Sequence, residues 1–244
     1  MPEASAMHPT AAIAIDRRPI EWDNPGMSAS TLDAQSRGSR SPRIMRWAIL
    51  AGGAAFVTMV AVKAFMQAFD QEDFPEALLV KVELMPAIFP VHMFTGALAL
   101  VLLPLALLLR PWPRWHRLAG RVAMADIVVA GLTAYPVALI APVTAWSAAG
   151  FAAQATVWLA FLAIGLWNIR RGNVARHRMF MLLMAATASG AIVFRVFLAS
   201  WALLGQGRHF ALVYACVAWV AWLLPLGVTL VYVKRAGGLR TIPR

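Results

Sequence analysis

The chain has 244 residues, 61% of them apolar and only 14% charged, with a mean hydropathy of +0.68. A soluble domain carries about 45–50% apolar and about 25% charged residues, so a water-soluble globule is excluded. The 22 Lys and Arg against 11 Asp and Glu would suggest nucleic acid in a soluble protein; in a membrane protein their positions have to be read first.

Residues 1–45 read as a disordered tail. Pro2, Pro9, Pro19, Pro25 and Pro42 interrupt them, Ser and Arg dominate Ser28–Arg43, and no long apolar run occurs. Such a segment buries too little apolar area to offset its ordering entropy. Ala11–Ile15 is too short for the apolar core of a signal peptide. After Arg46 the pattern changes. A bilayer core of about 30 Å needs about 20 apolar residues as helix, and six stretches qualify: Trp47–Met66, Pro90–Leu109, Leu118–Ala141, Gly150–Ile169, Met179–Ala202 and Phe210–Val233. Strand periodicity is absent. Between the first two, Phe74–Met85 has the length of a short interfacial helix before Pro86 and Pro90 redirect the chain. The expectation is an all-α integral membrane protein, a six-transmembrane-helix bundle spanning 46–234, followed by a short basic tail over 235–244.

Arginines orient the bundle. One set of connections carries Arg43 and Arg46; Arg110, Arg114, Arg117 and Arg121; Arg170, Arg171, Arg176 and Arg178; and Lys234, Arg235, Arg240 and Arg244. The opposite connections carry Asp70, Glu72, Asp73, Glu76 and Glu83 with Lys81, then an uncharged loop at Pro142–Ala149, then Arg208. That is fourteen basic residues against two. Lys and Arg mark the cytoplasmic side, so both termini are expected in the cytoplasm of a bacterial inner membrane. The net charge of +11 is then a topology signal plus attraction to anionic lipid headgroups at the cytoplasmic loops, with no nucleic-acid partner.

Three segments carry a family resemblance: His92-Met-Phe-Thr-Gly96, His116-Arg-Leu-Ala-Gly-Arg121 and Gly172-Asn-Val-Ala-Arg-His177-Arg178, with Arg195 following late in the fifth span. Over roughly Pro90–Ala202 the chain resembles a bacterial membrane family known as domain of unknown function 2306. The resemblance implies a helical membrane bundle and almost no chemistry. Ala123 departs from it, standing near where a Tyr is expected after the Gly-Arg pair.

Ionisable residues inside a span are costly and mark functional hypotheses. From the cytoplasmic ends, Asp126 lies roughly 12 Å into the third span, and Arg195 and Lys63 each about 24 Å into theirs. His92, near the outer start of the second span, is at a similar outer level to Lys63 and Arg195. These three define a candidate outer polar layer, with Glu83 the expected counter-charge and Thr187 and Ser189 the expected partners of Asp126. Plainer readings stand beside these: Lys63 snorkelling to the outer interface, Arg195 and Asp126 pairing structurally, and His92 as an interfacial hydrogen-bonding residue. Small residues Gly131, Ala185 and Ser189 are expected to let the third and fifth spans approach closely.

His116 and His177 each open a span and each precede an arginine, Arg117 and Arg178. A b-type haem takes two axial imidazoles from facing helices, and the arginines suit its propionates. The same His-Arg openings equally suit lipid phosphates, since helix N-termini favour anions. The two openings lie sixty-one residues apart, which hints at a duplicated two-helix unit, but two matches are too few to establish one. The single Cys216 excludes an intramolecular disulfide and a cysteine cluster. No phosphate-binding Gly loop, His-Glu-x-x-His zinc motif or nucleophile beside a base occurs. The expected function is therefore a non-catalytic membrane module binding a small or lipidic ligand. The alternatives are a haem electron-transfer protein and a proton-coupled transporter working through Asp126 and Arg195.

Overall fold

The computed structural model describes residues 41–67, 69–70, 76–204 and 209–235. The expected tail up to residue 40, Glu72, Asp73, Phe74, Arg208, Arg240 and Arg244 lie outside the described residues. The chain divides into two units, Met1–Ile49 and Leu50–Arg244. The described part of the first is the opening of α1 (Ser41–Met66). The second holds the rest of α1, then α2 (Glu76–Leu84), α3 (Ile88–Leu108), α4 (Pro113–Leu139), α5 (Ala145–Arg170), α6 (Val174–Leu204) and α7 (Phe210–Arg235). No strand occurs among the described residues.

Helices α3 to α7 are five helices long and apolar enough to cross a membrane, matching the second to sixth expected spans. The first expected span is also helical, and its apolar portion, Ala51–Met66, is shorter. Within the expected Phe74–Met85 segment, the described residues form α2 over Glu76–Leu84.

Helix ends follow local chemistry. Trp112 is extended (φ −110°, ψ 94°) before Pro113 opens α4, because a residue before proline avoids the helical region and proline fits the first helical position. Thr144 and Ser147 form a capping box at α5, each side-chain oxygen accepting from the other's backbone N–H at 3.0 and 3.1 Å. Gly172 (φ +73°) ends α5: its N–H donates to Ile169 O, and that of Asn173 to Asn168 O, the paired bonds of a Schellman turn, which needs the left-handed conformation glycine adopts freely. Asn173 Oδ1 then accepts from Arg176 N at 3.1 Å, capping α6. The Gly-Asn pair stops one helix and starts the next.

Successive helices from α3 onward run antiparallel, as their side-chain register shows. Ala106 meets His116 and Ala130 meets His92 across α3 and α4. Tyr135 Oη and Thr156 Oγ1 bond at 2.8 Å across α4 and α5. Gln154 Nε2 donates to Thr187 O across α5 and α6, and the Trp201 and Phe210 rings meet where α6 turns to α7. The central core joins four helices through Ala99, Leu102, Ala123, Ile127, Leu162 and Met184. A second cluster packs Leu183 of α6 against Trp222 and Leu226 of α7. A third packs Val60 and Ala61 of α1 on Leu100, bordered by Ala191 and Ile192.

Candidate functional site

At the end of the bundle away from the arginine-rich turns, His92 on α3 points at α4. Its Nδ1 donates to Ala130 O at 3.1 Å and lies 3.3 Å from Thr133 Oγ1. A carbonyl only accepts, so a neutral His92 carries its proton on Nδ1 and leaves the Nε2 lone pair open. Arg195 on α6 lies within electrostatic reach of His92 and of the buried Tyr214 on α7. Its guanidinium donates through Nη1 to Ala191 O of its own helix at 3.0 Å. Tyr214 in turn forms with Phe151 and Phe194 a triangle of edge-to-face rings with centroids 5.2, 5.3 and 5.6 Å apart, a favoured aromatic arrangement. The structure thus brings His92 and Arg195 together at one end of the bundle. Glu83, the expected counter-charge, is exposed and makes no contact with Arg195. Lys63 is exposed near the end of α1 and has no bond to His92 or Arg195.

Lys81 is the polar residue that sequence reasoning missed as a site member. Only 4% exposed, it donates from Nζ to Val137 O at 2.7 Å and Ile140 O at 2.9 Å. These carbonyls close α4, where backbone donors run out and the helix dipole favours a cation. Burial draws the Lys81 ammonium below the ordinary lysine value. Its sequence signal was weak: one lysine among acidic residues reads as a solvated loop charge.

His116 and His177 occupy matching places. His116 Nδ1 donates to Ala106 O at 2.8 Å, and His177 Nδ1 to Gly165 O at 2.9 Å. Each imidazole ties the start of one helix to the end of the helix before it. The Ala130 and Ala191 carbonyls are used differently: the first accepts from His92 of the neighbouring helix, the second from Arg195 of its own helix. Arg117 is exposed and Arg178 partly buried; no hydrogen bond joins either to the other histidine among the described residues.

Asp126 is buried in α4. The expected bonds from Thr187 and Ser189 do not form: Thr187 Oγ1 donates to Leu183 O and Ser189 Oγ to Ala186 O. Asp126 Oδ2 is left without a partner, as are Nε1 of Trp158 and Nε1 of Trp222. Gly131, expected to admit the fifth span, instead faces α5, where a Cβ would stand 2.6 Å from Leu159 Cδ2. Among the described residues no group of three or more His, Cys, Asp or Glu is placed to hold a metal ion.

No curated protein and no solved structure matches the chain. The family described as Predicted membrane protein (DUF2306) matches residues 89–233, the stretch that contains His92, His116, Asp126, His177 and Arg195, and the chain belongs to that family.

Proposed function

We propose that this protein is a six-span bundle of the bacterial cytoplasmic membrane, both termini inside, that binds a small anionic amphiphile without catalysing a reaction. Arg195 carries the reading. A guanidinium offers five N–H donors, and among the described residues this one bonds a single carbonyl of its own helix, with no carboxylate acting on it. A cation in apolar surroundings without a counter-charge is a site for an anion. His92 and the aromatic triangle supply an acceptor and an apolar wall beside it. At the opposite end, exposed Arg110, Arg114, Arg117, Arg170 and Arg176, with Arg171 stacked 4.2 Å over Trp167, suit anionic lipid headgroups.

The test is thermal melting of the detergent-solubilised full chain, with oleate as probe and oleyl alcohol as uncharged control. At a hundredfold excess over Kd, oleate should stabilise the wild type by about 2.7 kcal/mol, and the alcohol should not. Arg195→Met should fold and bind oleate at least about tenfold more weakly. His92→Gln should lose a similar amount, and the double variant little more, as for residues acting together. An unchanged oleate shift in Arg195→Met would identify Arg195 as a packing residue whose replacement is neutral or stabilising, and fully additive losses would rule out a pocket shared with His92.

A second reading is a b-type haem between His116 and His177. It rests on their Nδ1–carbonyl bonds, which in the neutral rings leave both Nε2 atoms as potential ligands in the manner of metal-binding imidazoles. Absorption spectra of the purified protein, oxidised and then reduced, test it. A reduced b-type spectrum that disappears in His116→Ala and His177→Ala supports it, and a featureless visible spectrum refutes it.

A further inference from the structure

Near the middle of α4, Asp126 is buried beside the central apolar cluster that Ala123 and Ile127 build from the same helix. Its Oδ2 has no hydrogen-bond partner. Trp158 of α5 packs against that cluster, and its indole N–H also lacks a partner. An unpartnered acceptor and an unpartnered donor in one core are exceptional, because buried polar groups are nearly always satisfied.

The surroundings offer Asp126 no charge. On α3 the titratable group is His92, engaged with Ala130 and Thr133. On α5 it is Arg170, exposed at the helix end. On α6 they are Arg176, His177 and Arg178 in the first turns and Arg195 in the aromatic layer. None of them acts on the Asp126 carboxyl. An ionised carboxylate taken from water without a cation or donor costs far more than the neutral acid.

The lipid side is close. A groove of about 430 Å³ between α4 and α5 is lined by Met124, Ala125, Val128, Leu159, Leu162 and Ala163, among others. Leu162 belongs both to this groove and to the central cluster, so one residue links the outer groove to the core beside Asp126.

We propose that Asp126 is an intramembrane proton-binding site, a carboxylic acid approached from the lipid through the α4–α5 groove. Its proton is retained while the apolar wall is closed and is released when water or a cation replaces that wall. Proton binding is thereby coupled to the separation of α4 and α5. This site is independent of the Arg195 layer and of whatever binds there.

A lipid-soluble carbodiimide tests the proposal. The acid proton passes to one carbodiimide nitrogen and the carboxylate oxygen bonds the central carbon, forming an O-acylisourea. An O-to-N acyl shift then gives a stable N-acylurea, and no group leaves. The full-length protein in lipid vesicles is treated with N,N′-dicyclohexylcarbodiimide, and labelled peptides are identified by mass spectrometry. Infrared difference spectra of Asp126→Asn against wild type report the acid carbonyl. The expected result is a label on Asp126, absent in Asp126→Asn, with a protonated-acid band lost in the same variant. Ala163→Trp, which fills the groove, should slow labelling at least tenfold and keep the band. Should Asp126→Asn fail to fold, Asp126→Glu retains the chemistry and should show a shifted acid band. An unlabelled wild type, an ionised-carboxylate signature for Asp126, or full-rate labelling in Ala163→Trp would overturn the proposal.

Discussion

At Lys81 an ammonium group is buried against two carbonyls that α4 cannot satisfy itself. Charge-assisted hydrogen bonds of this type contribute about 1.5–3 kcal/mol each when intact, and burial offsets part of that. Lys81→Met should therefore lower stability by about 2–3 kcal/mol, read as a fall in melting temperature in detergent. The pH dependence has a defined sign. Because burial lowers the folded-state value, the unfolded chain holds more protons between that value and the ordinary lysine value. Stability rises with pH in that window. Raising pH from neutral to roughly 10 should shift the comparison in favour of the wild type, while Lys81→Met stays flat over the same range. Equal pH slopes in the two proteins would show that Lys81 does not titrate differently on folding. Legibility in the sequence divided along the same physical line. Arg195 and Asp126 stood out because each interrupts an apolar helix, where any charge is conspicuous. Lys81 stands among Glu76 and Glu83, where charge is ordinary, and only its tertiary contact with the end of α4 makes it exceptional.

At the level of elements, helix length and polarity were legible because a bilayer imposes a minimum apolar run. The segment before Met85 was less so, since a nine-residue helix that does not cross the bilayer has no such constraint. Partners between helices were read less well, and the cause is specific. In an apolar medium a hydroxyl meets its own helix's carbonyl before it meets a neighbour's side chain. Thr58, Thr95, Thr133, Thr156, Thr187 and Thr229 all donate to the carbonyl four residues earlier. Thr187 was therefore spent locally, and Asp126 was left alone. Gly131 meets Leu159 because the short connection after α4 forces α5 alongside it, so small residues on α4 serve that neighbour first. The His-Arg openings were visible as a repeated pattern. Their use as ties to Ala106 and Gly165 depends on chain reversal, which spacing alone does not specify.

For the whole molecule the decisive expectation is orientation. Ten of the described Lys and Arg side chains, Arg110, Arg114, Arg117, Arg121, Arg170, Arg171, Arg176, Arg178, Lys234 and Arg235, sit at the α3–α4 and α5–α6 turns and at the end of α7, on one side of an antiparallel bundle. Alkaline phosphatase needs the oxidising periplasm for its disulfides, so fusions report sidedness. A fusion at the C-terminus should be inactive, and one within the loop at 142–149 active. An active C-terminal fusion would require an odd number of spans and would reverse the assignment of both polar layers.

The two histidine ties also bear on how the protein is made. His116 reaches back ten residues to Ala106, and His177 twelve to Gly165. Closing so short a loop costs little entropy, and neither bond needs any later part of the chain. As the polypeptide leaves the ribosome N-terminus first, every residue of the α3–α4 tie is available before α5 is made, and every residue of the α5–α6 tie before α7. Local geometry therefore permits assembly by docking of two hairpins. The Phe151–Phe194 contact belongs to the second of them, and the aromatic triangle beside Arg195's partner Tyr214 closes only when that tyrosine arrives on the last helix.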